Sequence, residues 1–118
     1  MAFLHNAFTK EEQKAIIKSS ISTPDYDEND GGADTKDYIY LLSHKEATQY
    51  FATEDSRMAA PTPYAVEIGG WWWLRSPAFD RDSASIVYVD GSLNYSGVVN
   101  VVDGIRPAFK LHLDSLIF

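Results

Sequence analysis

Trp71-Trp72-Trp73-Leu74-Arg75-Ser76-Pro77 is the stretch at which the chain changes texture. Upstream of it lie helix starts and loop residues; downstream lie short β-rich runs separated by Gly, Asp and Asn. Trp71 to Arg75 reads as a strand of bulky residues. A strand alternates its faces, so Trp72 points one way and Trp71 and Trp73 the other. At least one indole therefore belongs in a core. Ser85 to Val89 is a second strand, with Asp90-Gly91 as the hairpin signal after it. Val98 to Val102 and Ile105 to Leu113 supply two more.

Working back toward the N-terminus, Pro61-Thr62-Pro63 breaks the chain, and one short helical turn is expected from Thr62 or Pro63 through Glu67. Ser43-His44-Lys45-Glu46 has the capping-box pattern, with Ala47, Tyr50 and Phe51 on one face of the helix it starts. Asp37 to Leu42 is a short buried strand. Ser19 to Lys36 holds Pro24, Gly31, Gly32 and the acids Asp25, Asp27, Glu28, Asp30 and Asp34, and reads as the longest loop. Thr9-Lys10-Glu11-Glu12 is a second capping box, starting a helix over 10–18. Helices first and antiparallel strands second predict an α+β fold: two helices plus a mainly antiparallel sheet of short strands in the C-terminal half, one domain over 1–118.

The chain carries 17 acids against 10 bases, a net charge of −7. That sign repels phosphate backbones, so nucleic acid is not an expected partner. With no cysteine there is no disulfide framework, thiolate metal site or cysteine nucleophile. The start lacks a basic n-region, and no apolar run approaches the ~20 residues needed to cross a bilayer. No membrane insertion is expected and the localisation is open, with surface or virion display if the natural product is longer.

Metal and catalytic signatures fail on inspection. A calcium loop counted from Asp25 needs glycine at its sixth position and glutamate at its twelfth, where Asp30 and Lys36 stand. His5, His44 and His112 form no metal-binding or triad pattern. No cofactor, metal or catalytic residue is expected, and the chain is read as a non-enzyme.

Several segments carry a resemblance. Trp72-Trp73-Leu74-Arg75-Ser76-Pro77 followed by Gly104-Ile105-Arg106-Pro107-Ala108-Phe109 resembles the paired "WWLRSP … G(V/I)RPA" signature of an uncharacterised domain family of gut bacteria and their phages. Ala7-Phe8-Thr9-Lys10-Glu11-Glu12, Tyr40-Leu41-Leu42-Ser43 with Glu46-Ala47, and Pro61-Thr62-Pro63-Tyr64-Ala65 resemble its other segments, in order. That family is similar to the C-type-lectin-like fold shared with formylglycine-generating enzymes, and the resemblance implies that fold here. The catalytic branch relies on cysteines, which this chain lacks. Family members usually carry strands ahead of the "AFT" helix, so the start is expected to be trimmed or the scaffold compact.

Some members are variable proteins of diversity-generating retroelements, in which adenine-derived codons of a cassette are rewritten. Randomised AAY codons become NNY, which cannot encode Lys, Glu, Gln, Met or Trp. From Phe79 to Asp103 none of these occurs. Together they make up roughly a fifth of ordinary usage, so chance gives such a run at well under one in a hundred. Strand and turn segments also avoid Lys, Glu and Gln, which is the competing explanation. The expected ligand-binding residues are Phe79, Asp80, Arg81, Asp82, Ser83, Ser85, Tyr88, Asp90, Leu93, Asn94 and Tyr95, a paratope-like vocabulary. Trp71 and Trp73 join them as possible stacking platforms. Arg75 and Arg106 are read as framework, bonded to acids or carbonyls. The expected function is binding of a protein or cell-surface ligand. A carbohydrate-binding module using an exposed Trp, or a structural domain of a larger surface protein, is the alternative.

Overall fold

The computed structural model describes residues 2–25, 30–60, 62–64, 70–78, 83–98 and 104–113. Helices α1 (Ala2–Ala7) and α2 (Lys10–Ala15) open the chain, and strands β1 (Ile16–Ile17) and β2 (Ser19–Ile21) follow at once. After the acidic segment come β3 (Thr35–Asp37), α3 (His44–Tyr50) and α4 (Glu54–Arg57). The second half contains β4 (Trp72–Pro77), β5 (Ser83–Val87), β6 (Leu93–Val98) and β7 (Lys110–Leu111). The α+β class is as expected, built from small antiparallel sheets: β1 with β7, β2 with β3, and β4–β5–β6 in sequence order.

Both capping boxes form. The Thr9 side chain accepts from the Glu12 amide while Glu12 accepts from the Thr9 amide, and Ser43 and Glu46 repeat the arrangement. Helix α2 stops at Ala15, three residues short of the expected end. Ile16 and Ile17 are β-branched and pair instead with Leu111 and Lys110. The long loop expected over 19–36 is pinned at its base: Ser19, Ser20 and Ile21 pair with Asp37, Lys36 and Thr35. The strand expected over 37–42 reduces to β3's last residue and one bridge, between Tyr40 and Ala108. The helical turn expected through Glu67 lies mostly outside the described residues, as does most of the strand expected over 98–102. The expected strand over 105–113 shrinks to β7.

The three-stranded sheet organises the core. Along β4 burial alternates residue by residue, with Trp72, Leu74 and Ser76 inward. Trp72 and Leu74 pack with Leu42, Ala47 and Val87, and Tyr40, Phe51, Ala59, Leu93 and Ala108 close around them. The outer edge of β4 is not left open. The Trp73 amide donates to Gly104 O and the Arg75 amide to Leu42 O, while the Gly104 amide donates to Trp71 O. Pairing of Trp72 with Gly104 brings the two halves of the "WWLRSP … GIRPA" signature side by side.

Candidate functional site

Among the described residues of the 79–103 window, the β5–β6 turn is where side chains are exposed. The Gly91 amide donates to Tyr88 O at 2.9 Å, and the Tyr88 amide to Ser92 O at 2.9 Å. Asp90 Oδ1 accepts from both the amide and the hydroxyl of Ser92, which holds its carboxyl below the ordinary carboxylate range. Gly91 has φ +84°, a left-handed conformation that suits glycine, and a Cβ there would collide with the Glu54 carbonyl. Helix α4 thus backs directly onto the turn. Its buried Arg57 donates Nε to Gly91 O at 2.9 Å and a terminal nitrogen to Phe51 O at 2.8 Å.

Side chains on this rim divide sharply. Val89 is 51% exposed, Asp90 is exposed, and Tyr88, Ser92 and Asn94 are half-buried. The Tyr88 ring meets the half-buried Trp71 edge to face, with centroids 5.1 Å apart. The Leu93 side chain packs on the core, so its outward role is not supported by its packing. Ser83 and Ser85 also differ from the expected exposure. Both are buried, Ser85 completely, and its hydroxyl donates to Pro77 O at 2.9 Å. They sit on β5, the central strand, where Ile86 and Val87 are fully buried as well. Trp73 is half-buried beside a shallow depression shared with Leu41, Leu74 and Ala84. Phe79, Asp80, Arg81 and Asp82, and the side chain of Tyr95, lie outside the described residues.

The topology also separates the expected residues. The β4–β5 connection joins Pro77 to Ser83 at one end of β5, and the turn at Tyr88–Ser92 leaves the other. Five strand residues span roughly 15 Å at about 3.3 Å each. Ser83 and the 88–94 rim therefore stand at opposite ends of a buried strand.

The framework reading of the arginines agrees with their contacts. Arg75 pairs with Glu46 and donates to Leu41 O, Ser22 O and the Thr23 hydroxyl. Burial pushes the Glu46 carboxyl up, but the Arg75 hydrogen bond, the Ser43 amide and the Arg75 charge together hold it below its ordinary 4.5. Arg106 lies over both the Phe51 and Trp72 rings and donates to Arg57 O. Arg57 was not singled out by sequence reasoning; a charged residue at the end of a four-residue helix looks like an ordinary surface position. His44 is partly buried, and burial and then the Arg57 charge depress its pKa. No cluster of three potential metal ligands occurs among the described residues. Asp25 and Asp30 accept from the amides of Gly31 and Gly32. No helix is long and apolar enough to cross a membrane among the described residues.

A family model described as a domain of unknown function, DUF6273, matches residues 1–113. No curated protein and no solved structure matches the chain. With all but its last five residues inside that match, the chain belongs to the DUF6273 family.

Proposed function

We propose that the chain is a compact C-type-lectin-like ligand-binding domain acting as the variable protein of a diversity-generating retroelement, with a protein or cell-surface ligand as its partner. The observation that carries this reading is how the β5–β6 turn is held. Its path is fixed by backbone bonds between Tyr88, Gly91 and Ser92, and by Arg57, which lies outside the 79–103 window. Side chains at 88 and 89 make none of those bonds. A turn supported in this way carries different side chains at little cost to the fold, as binding loops on rigid scaffolds do. The absence of Lys, Glu, Gln, Met and Trp from the window supports the same reading. The variable rim is Tyr88 and Val89, whereas Asp90, which caps Ser92, and Ser83, Ser85, Ile86 and Val87 belong to the scaffold.

The test is the neighbouring DNA. A near-identical, adenine-rich copy of codons 79–103 beside a reverse transcriptase gene is expected, with differences falling at 88 and 89 and sparing 85–87. Differences concentrated in the buried β5 codons would sink the proposal. A glycan array separates the sugar-binding alternative: binding abolished by Trp73→Ala but indifferent to replacement of the rim favours it.

A further inference from the structure

A second concave surface lies away from the β5–β6 rim, and none of its described lining residues belongs to 79–103. Tyr40, Leu42, Tyr50, Phe51, Pro107, Ala108, Phe109 and Lys110 line an open groove of ≈ 390 Å³, within the range of about 300–1,000 Å³ typical of ligand sites. Its floor is rigid, because Tyr40 and Ala108 exchange two backbone hydrogen bonds of 3.0 and 2.8 Å. Its walls are rigid too. Phe109 meets Phe8 edge to face at 5.2 Å, and Phe51 is stacked under the Arg106 guanidinium at 4.7 Å. Yet Tyr50 is 58% exposed at its lip, an aromatic ring left in water beside an already formed apolar surface.

The polar chemistry of the lining is one-sided. Two phenols and one ammonium offer donors, and the described lining residues include no carboxylate or amide side chain. Burial first, then the Glu46 carboxylate and the Tyr50 phenol, raise the Tyr40 pKa, so this hydroxyl stays protonated at neutral pH. The Lys110 ammonium can only donate, so the group that meets it must accept. An added β-strand would need unpaired backbone, and Tyr40 and Ala108 are already bonded to each other. A polyproline II segment fits both conditions: its carbonyls are all unpaired, its prolines have no N–H, and its rings pack between aromatic side chains. Lys110 is exposed and pairs with no described carboxylate, which places a positive charge at the groove.

We propose that the groove between α3 and the 107–110 segment binds an extended proline-rich peptide carrying an acidic residue beside its prolines. This site is distinct from the rim of the proposed function and does not depend on it.

The probe is a fluorescein-labelled Glu-Pro-Pro-Leu-Pro-Pro-Glu peptide titrated with the full chain and read by fluorescence anisotropy. Saturable binding is expected, with the affinity falling about tenfold or more for Tyr50→Ala, an anchor-type loss. Lys110→Glu should weaken the acidic peptide and restore affinity for the same peptide flanked by lysines. Both positions are exposed, so the folded state survives the changes, and the reversal at Lys110 cannot come from unfolding. Replacing Tyr88 and Val89 together should leave peptide binding unchanged, which separates this site from the rim. The proposal is overturned if no saturation occurs below about 1 mM, the weak limit of specific recognition. Binding that survives Tyr50→Ala, that persists when alanine replaces every proline, or that is displaced by chitohexaose overturns it equally.

Discussion

Replacing Arg75 with alanine removes a side chain that ties three separate segments to β4. Its guanidinium pairs with Glu46 in α3, donates to Leu41 O at 2.8 Å, and reaches Ser22 O at 2.8 Å and the Thr23 hydroxyl at 3.0 Å. The paired side chains retain only 15% and 21% of their exposure. Removing one partner from a buried pair costs about 3–5 kcal/mol, and residual solvent contact here argues for the lower end, ~3. The carbonyls of Leu41 and Ser22 lose their charged donor, which adds about 1 kcal/mol in total when water reaches one of them. The expected loss is therefore ~4 kcal/mol, a large share of the roughly 5–15 typical of a domain. At about 4 °C per kcal/mol for this length, Tm falls by about 16 °C. Urea unfolding followed by tryptophan fluorescence, with thermal circular dichroism, measures both. Arg75→Lys keeps the charge and loses the planar fork, so it should recover only a minor part. The pH dependence adds a signature. The folded-state pKa of Glu46 is depressed, so its contribution is present above the ordinary 4.5 and lost as pH falls through the folded value. That part of the acid slope should flatten in Arg75→Ala. A loss below about 1 kcal/mol, or full recovery with lysine, would refute the reasoning.

At Gly91, alanine meets both a positive φ and the Glu54 carbonyl, so G91A should cost about 2 kcal/mol or more and loosen α4, read by urea unfolding and by faster exchange of the Arg57 amide. Ser85→Val should destabilise by roughly 2–3 kcal/mol through overpacking and loss of the bond to Pro77 O, whereas Val89→Ser should stay within about 0.5. Equal effects from those two changes would remove the distinction between scaffold and rim. Trp72 is 4% exposed and its indole N–H has no hydrogen-bond partner among the described residues. Trp72→Phe abolishes that orphan donor, worth about 1–3 kcal/mol, and should largely offset the volume lost. It should therefore cost under about 1.5 kcal/mol in chemical denaturation, against about 3–5 for Trp72→Ala.

What could be read in advance was whatever a local pattern dictates. The capping boxes at Thr9 and Ser43 are four-residue chemistry, and both formed. A third box, Thr53 with Ser56, escaped notice because serine replaces the usual glutamate or glutamine at its fourth position. The Asp90-Gly91 turn and the alternation along β4 were legible for the same local reason. Long-range pairing was not. Ile16 and Ile17 leave α2 for Lys110 and Leu111, nearly the whole chain away, and nothing near them announces it. The site suffered likewise. Ser83 and Ser85 carry binder-like side chains, but alternation along β5 puts them on the same face as Val87, which packs in the core. Arg57 was invisible because its value depends on where Gly91 and Phe51 come to lie.

The arginines explain how so irregular a chain keeps its turns in place. Strands of two, three, five and six residues form few ladder bonds between distant segments, and every buried carbonyl outside a ladder still needs a donor. Ser22, Leu41, Phe51, Arg57 and Gly91 lie outside the helix interiors and the strands, and each carbonyl accepts from an arginine. A guanidinium offers five donors in a fixed plane and an apolar face that stacks on rings, so one residue does the work of several ladder bonds. Arg57 and Arg106 converge on the same point: one bonds the Phe51 carbonyl, the other covers the Phe51 ring. In a chain without disulfides this is a way to hold both the β5–β6 turn and the aromatic groove from a single junction. It also accounts for the division of labour along the sequence. The residues that set shape, Arg57, Arg75 and Arg106, all lie outside 79–103, while within it Gly91, the Asp90–Ser92 cap and the core-packed Leu93 also serve the fold.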